Sequence, residues 1–187
     1  MAKGLLLVAF DFSAANAGEF HDWYDLDAID VLRGKAYAAI AYDNLSPWSK
    51  RVGAICDRKL RFEGSQITPG DAAAPEGAGG LLMNAMNIAP EAEDDFNAWY
   101  DQEHIPALLK VPGTLAARRY RADESVTSTH RYVAMYHVTS TDVVHSDAWK
   151  HAVDTPWSAS MQPHMRDRIR ILSNKYVRTA SASAVAE

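Results

Sequence analysis

At 187 residues, with 48% hydrophobic and 23% charged side chains, the chain has an ordinary globular composition, enough for one or two small cores. The formal charge of −5 and the absence of a basic block argue against a nucleic-acid or anionic-membrane partner, because such binding draws on clustered Lys and Arg. No apolar run nears the roughly 18 residues that span a bilayer, and the lone Cys56 excludes an intrachain disulfide framework, fits a reducing cytoplasm and reads as a small buried hydrophobe.

In chain order, residues 4–12 (GLLLVAFDF) form a mostly apolar run of strand length. Its apolar part is too short for a signal peptide, and an equivalent run recurs at Leu81. The turn-like SAANAG of 13–18 offers Ser13 or Asn16 as a cap, which predicts a helix beginning at 19–25. Residues 4–25 match residues 80–101 without a gap, sharing Gly4/Gly80, Leu5/Leu81, Leu6/Leu82, Ala9/Ala85, Phe20/Phe96, Trp23/Trp99, Tyr24/Tyr100 and Asp25/Asp101. From Tyr24 the match jumps. Tyr24, Asp30, Val31, Ala36 and Tyr37 then align with Tyr136, Asp142, Val143, Ala148 and Trp149. Further on, SPWS at 46–49 meets TPWS at 155–158, and LRF at 60–62 meets IRI at 169–171. The first half reads as a shortened copy of the second.

This divides the chain into a truncated repeat (1–63), a Gly/Pro/Ala-rich linker (64–79), a complete repeat (80–178) and a frayed Ala/Ser tail (179–187). In the complete unit, strands are expected at 81–88, 114–121, 130–138 and 168–177, with helices at 94–110 and 142–153 and a short helical piece at 158–165. Tyr132, Ala134, Tyr136 and Val138 share one strand face, and the twin PWS breaks end helices while Trp48 and Trp157 plug the core ends. Arg118, Arg119 and Arg121 alternate along a strand as solvated or rim positions do. The order βαββαβ is α+β and ferredoxin-like: an antiparallel sheet with two helices on one face. The other face needs a cover. Because the first copy is short, a homodimer is the expected cover.

At Trp99, Tyr100, His104, Pro106 and Pro112-Gly113 the sequence resembles the dimeric α/β-barrel superfamily, and within it the EthD-like proteins. Their first helix carries an aromatic pair, then His-x-Pro, then a Pro-Gly turn. The resemblance covers the second unit and, more loosely, the first. It implies the fold and leaves the reaction open, since the superfamily includes cofactor-free monooxygenases, lactone isomerases, polyketide cyclases and haem enzymes. In the first copy Ala28 and Asp30 stand where His104 and Pro106 would fall, so at most one site per chain follows.

On a helix, Phe96, Tyr100, His104 and Leu108 lie four apart on one face, an inward stripe holding one imidazole. Pro106 cannot donate to the Gln102 carbonyl, so the helix is expected to loosen there. Catalytic candidates are His104 as general acid or base, Tyr100 as donor, and Asp101, three residues back, to raise the basicity of the imidazole. Substrate-binding candidates are Trp99, Tyr136, Trp149 and Trp157. His137 would face the opposite side of the sheet. No metal-ligand spacing occurs, and no cofactor is expected, with haem on one axial His as a third course. Two function classes follow: a cofactor-independent enzyme acting on a small hydrophobic or aromatic metabolite by His-assisted proton transfer, or a non-catalytic binding or structural barrel whose aromatic stripe is plain core.

Overall fold

The computed structural model describes residues 3–12, 19–124 and 128–176. Its seven strands are β1 (Gly4–Phe12), β2 (Glu19–Leu26), β3 (Cys56–Thr68), β4 (Gly80–Ile88), β5 (Thr114–Ala122), β6 (Tyr132–Val138) and β7 (Met165–Asn174). They form one antiparallel sheet in the order β2-β1-β3-β5-β6-β4-β7. The run β5-β6-β4-β7 is the ferredoxin-like order, and the α+β expectation holds. Between the strands lie α1 (Lys35–Ala38), α2 (Pro47–Gly53), α3 (Glu93–Trp99), α4 (Ile105–Leu109), α5 (Asp147–Val153) and α6 (Pro156–Met161).

One motif folds in two ways. The helix expected to begin at 19–25 is instead strand β2, paired with β1 from Gly4↔Leu26 to Asp11↔Glu19. The second copy does form a helix. Glu93, Asp94 and Asp95 fill the first turn of α3, where carboxylates complement the helix dipole, and Pro90 opens the preceding turn. Packing decides the rest. Phe96, Trp99 and Tyr100 fall on one helical face and are all buried, whereas β2 edges the sheet and leaves Tyr24 exposed.

Both faces of the sheet are apolar, and they bury differently. On one, Leu82, Met86, Ala117, Tyr132, Ala134, Tyr136 and Val138 pack under α3 to α6, with the β6 residues falling on the expected face. On the other, Leu5, Leu7, Leu60 and Phe62 of the first three strands pack against Leu81, Met83, Val133 and Met135. That contact requires the sheet to curl. β2 and β6 are four strand positions apart, roughly 19 Å in a flat sheet at about 4.8 Å per strand, yet the rings of Trp23 and His137 are 6.3 Å apart. The edge strands β2 and β7 line a common crevice through Trp23 and Ser173. The face that was expected to need a second copy is therefore filled from within the chain.

Pairing in the two units runs in parallel. Leu7, Val8 and Ala9 face Phe62, Arg61 and Leu60 as Met83, Asn84 and Ala85 face Ile171, Arg170 and Ile169. Residues 64–68, read as the start of a linker, continue β3 and carry it to β5 through Gly64↔Ala122. The SPWS and TPWS segments open helices. Ser46 and Thr155 cap α2 and α6 by accepting the N–H of Ser49 and Ser158 at 3.0 Å, with Pro47 and Pro156 in the first turn. Trp48 plugs nothing, being 68% exposed. Arg118 and Arg119, read as rim positions, are 0% and 1% exposed because each finds a carboxylate and an aromatic face inside. Cys56 is half-buried at the start of β3, and the expected tail 179–187 lies outside the described residues.

Candidate functional site

Pro106 lacks the N–H that would close an α-helical bond, and the chain resolves this by adding a residue. Residues Tyr100–His104 form a π turn between α3 and α4, in which the Ile105 N–H donates to the Tyr100 carbonyl. The loosening expected at Pro106 is present as this turn. It sets the His104 ring over Trp99, centroids 4.2 Å apart, with Tyr100 at 5.2 Å and Tyr136 at 6.1 Å meeting it edge-on.

Below the turn lies a cavity of about 280 Å³ lined by Trp99, Tyr100, His104, Tyr136 and Trp149, by six strand side chains from β4 and β7, among them Asn84, Arg168 and Arg170, and by Lys150. Three buried polar atoms here have no hydrogen-bond partner: His104 Nδ1, Asn84 Oδ1 and the Tyr136 hydroxyl. Such orphans are costly, so their convergence on one cavity marks a place where something else completes them.

Electrostatics keep the site neutral in its centre and cationic at its mouth. Burial first, then Arg119 and Arg168, lower the His104 pKa to about 4, so the imidazole is uncharged at neutral pH. Burial raises the Tyr100 and Tyr136 hydroxyls, and the latter lies near Tyr100 without completing a hydrogen bond to it. Trp99 is fixed from behind: its indole N–H donates to Ser158 Oγ at 3.2 Å, and Thr155 Oγ1, 2.9 Å from Ser158 Oγ, donates to Glu103.

Of the residues expected from the sequence, Trp99, Tyr100, His104, Tyr136 and Trp149 meet at the cavity. Two do not. Asp101 turns away to accept from Thr68 Oγ1 at 2.9 Å and to pair with Arg119 Nη1 at 3.4 Å, because the extra residue of the π turn carries it off the His104 face. It does not raise the basicity of His104, whose surroundings are cationic. Trp157 packs on the core from outside the cavity, its indole drawn to Asp95 Oδ1 at 3.1 Å. Missed altogether were Asn84, Arg168 and Arg170. Asn84 was legible as the one polar residue inside LLMNAM, and the arginines as alternate residues of the closing strand. Among the described residues, no three His, Cys, Asp or Glu side chains converge as a metal site, and no helix is long and apolar enough to cross a membrane.

A family model, Domain of unknown function (DUF4286), matches residues 81–170. No curated protein matches the sequence. Among solved structures, the provisionally assigned chlorite dismutase TA0507 covers 93% of this chain and 95% of its own, with TM-score 0.55 at 10% identity. A variant of chlorite dismutase from Candidatus Nitrospira defluvii covers 89% of this chain and 73% of its own, with TM-score 0.51 at 9% identity. An EthD family protein from Bacillus halodurans C-125 aligns over 52% of this chain and 99% of its own, with TM-score 0.34 at 13% identity. The likeness is one of fold, carried by the two chlorite dismutase structures, and the chain is a ferredoxin-like α+β protein.

Proposed function

We propose that the chain is an enzyme acting on a small hydrophobic or aromatic metabolite by His104-assisted proton transfer, of the isomerase, cyclase, lyase or monooxygenase type. The observation that carries this is the unpartnered Nδ1 of a neutral imidazole at a cavity walled by Trp99 and Trp149. A neutral ring nitrogen accepts a proton, and a positioned His contributes roughly 10²- to 10⁴-fold to rate. Tyr136 and Asn84 would hold the polar end of the reacting group, and Tyr100, stacked on Arg119 at 4.0 Å, keeps the ring of His104 upright. The test is a panel of phenols, enols and lactones assayed against the wild type and His104→Ala. Turnover that survives the substitution in a folded variant sinks the role of His104, and a wild type that turns over none of the panel leaves the non-catalytic binding barrel.

A second reading would have His104 hold a haem. His104 is neutral, as ligation requires, and is the one imidazole lining the cavity. The group would supply redox chemistry there. A Soret band in the purified protein supports this reading, and a bare aromatic absorption spectrum after haem reconstitution removes it.

The proposal extends to a cytoplasmic homodimer and to descent of both units from one duplicated ferredoxin-like unit. The matched registers of β1–β3 and β4–β7 support the duplication. Since the inner face is already filled, the dimer would use other surfaces, and light scattering measures whether it forms.

A further inference from the structure

Within the cavity assigned to His104, we infer that the bound molecule is an apolar ring carrying one carboxylate, held by Arg168 and Arg170 with Asn84 beside them. This rests on the reading of that cavity as the ligand site.

The closing strand is built to bring two cations to one place. β7 carries one residue more than β4 between the pairs Ala85↔Ile169 and Asn87↔Arg166, and at this bulge Asp167 takes a left-handed backbone with φ 53°. Asp167 is held there, its carboxylate accepting from Asn87 Nδ2 at 2.9 Å and its carbonyl 2.7 Å from His130 Nε2. Arg168 and Arg170 follow, two apart on one face, and both line the cavity. Like charges so placed oppose each other, and the Arg170 pKa is lowered by burial and by Arg168. Among the described residues neither arginine has a carboxylate partner, and no Asp or Glu lines the cavity. The first unit shows the relieved arrangement. Arg61, which matches Arg170 in strand register, is neutralised by Glu63 through Nε at 2.8 Å and Nη2 at 2.5 Å.

A guanidinium fork fits a planar carboxylate in two parallel hydrogen bonds, and two forks above an apolar chamber select an acid over its neutral analogue. Asn84, opposite Arg170 in the ladder, leaves its Oδ1 free, an acceptor that fits a donor group on the ring beside the carboxylate and not the carboxylate itself. The chamber of about 280 Å³ takes a body of one or two rings. A carboxylate in this position also offsets the cationic field at His104.

The experiment is calorimetric titration with 1-naphthoate and with 1-naphthalenemethanol, the same ring without charge. Naphthoate is expected to bind at least about tenfold more tightly. Replacing both exposed arginines by Ala is expected to abolish that preference while leaving the thermal midpoint and the alcohol's affinity unchanged, and the double Lys variant to keep part of it. His104→Ala is expected to retain the preference, which separates this inference from the catalytic one. Equal affinity for the two probes, or a preference surviving in the double Ala variant, overturns it with the cavity reading intact. Binding of neither probe overturns both.

Discussion

Two clusters built from the same ingredients sit on opposite faces of β5. On the inner face Trp23 and Asp25 meet Arg118 and His137; on the helix face Trp99 and Asp101 meet Arg119 and His104. The two aspartates are matching residues of the repeated motif, and they take adjacent arginines. In the inner cluster the carboxylate and the imidazole are both engaged, while Arg118 Nη2 is buried without a partner. Asp25 pairs with Arg118 at 2.7 Å and accepts the Ala74 N–H at 3.0 Å, and His137 Nε2 accepts from Arg118 Nε at 3.1 Å. The outer cluster is open: Asp101 is half exposed, its pair is longer, and His104 Nδ1 has no partner. Burial lowers both imidazoles to about 4. A depressed histidine pKa therefore distinguishes nothing here. What separates a structural histidine from a candidate catalytic one is whether its nitrogen is already spoken for.

The sharpest way to break this contrast is to delete each imidazole. His104→Ala should lower turnover by roughly 10²- to 10⁴-fold in a variant that stays folded. His137→Ala should do the reverse, leaving turnover near wild type while stranding the Arg118 donor at about 1–3 kcal/mol of stability, read by urea titration. Equal effects on turnover would erase the distinction. The aspartates come next. Asp25→Ala leaves a buried guanidinium uncompensated and should cost about 3 kcal/mol, whereas Asp101→Ala removes a long, exposed pair and should cost no more than about 1 kcal/mol.

A pH series tests both clusters at once. His104 faces Arg119 and Arg168, and His137 faces Arg118 and Asp25. Between about pH 4 and 6.5 the unfolded chain binds protons that the two folded imidazoles refuse. Stability should rise with pH through that window and be complete above it, and replacing His137 should flatten the slope. The smallest expected effect is that of Pro106→Ala, under about 1 kcal/mol at a half-buried helical turn, because aromatic packing on His104 also holds the π turn. A large loss of affinity for a ring-containing ligand would mean that Pro106 alone holds it.

Much of the fold was legible because it follows alternation. The β6 face of Tyr132, Ala134, Tyr136 and Val138 is a period of two with nothing to override it. The helical stripe carrying His104 was legible for the same kind of reason. What failed depended on partners distant in sequence. EFHDWYD carries aromatic spacing that suits a helix, and it becomes a strand because β1 offers it a ladder. Arg118 and Arg119 read as surface residues because charge alone suggests water, and their aspartates lie 93 and 18 residues away. Asp101 was misplaced by one residue's worth of helix.

The π turn has an evolutionary corollary. An α-helical turn becomes a π turn by gaining a residue, and each residue is worth about 100° of rotation. Removing one residue from 101–103 would rewind the turn towards α-helical geometry against Pro106, swing the imidazole out of register with the chamber and leave the sheet untouched. Within such a fold the site can be lost or acquired by a single-codon change in length, with no substitution at any residue that lines it. Relatives that share the architecture but differ in the length of this segment should therefore not be expected to share its chemistry.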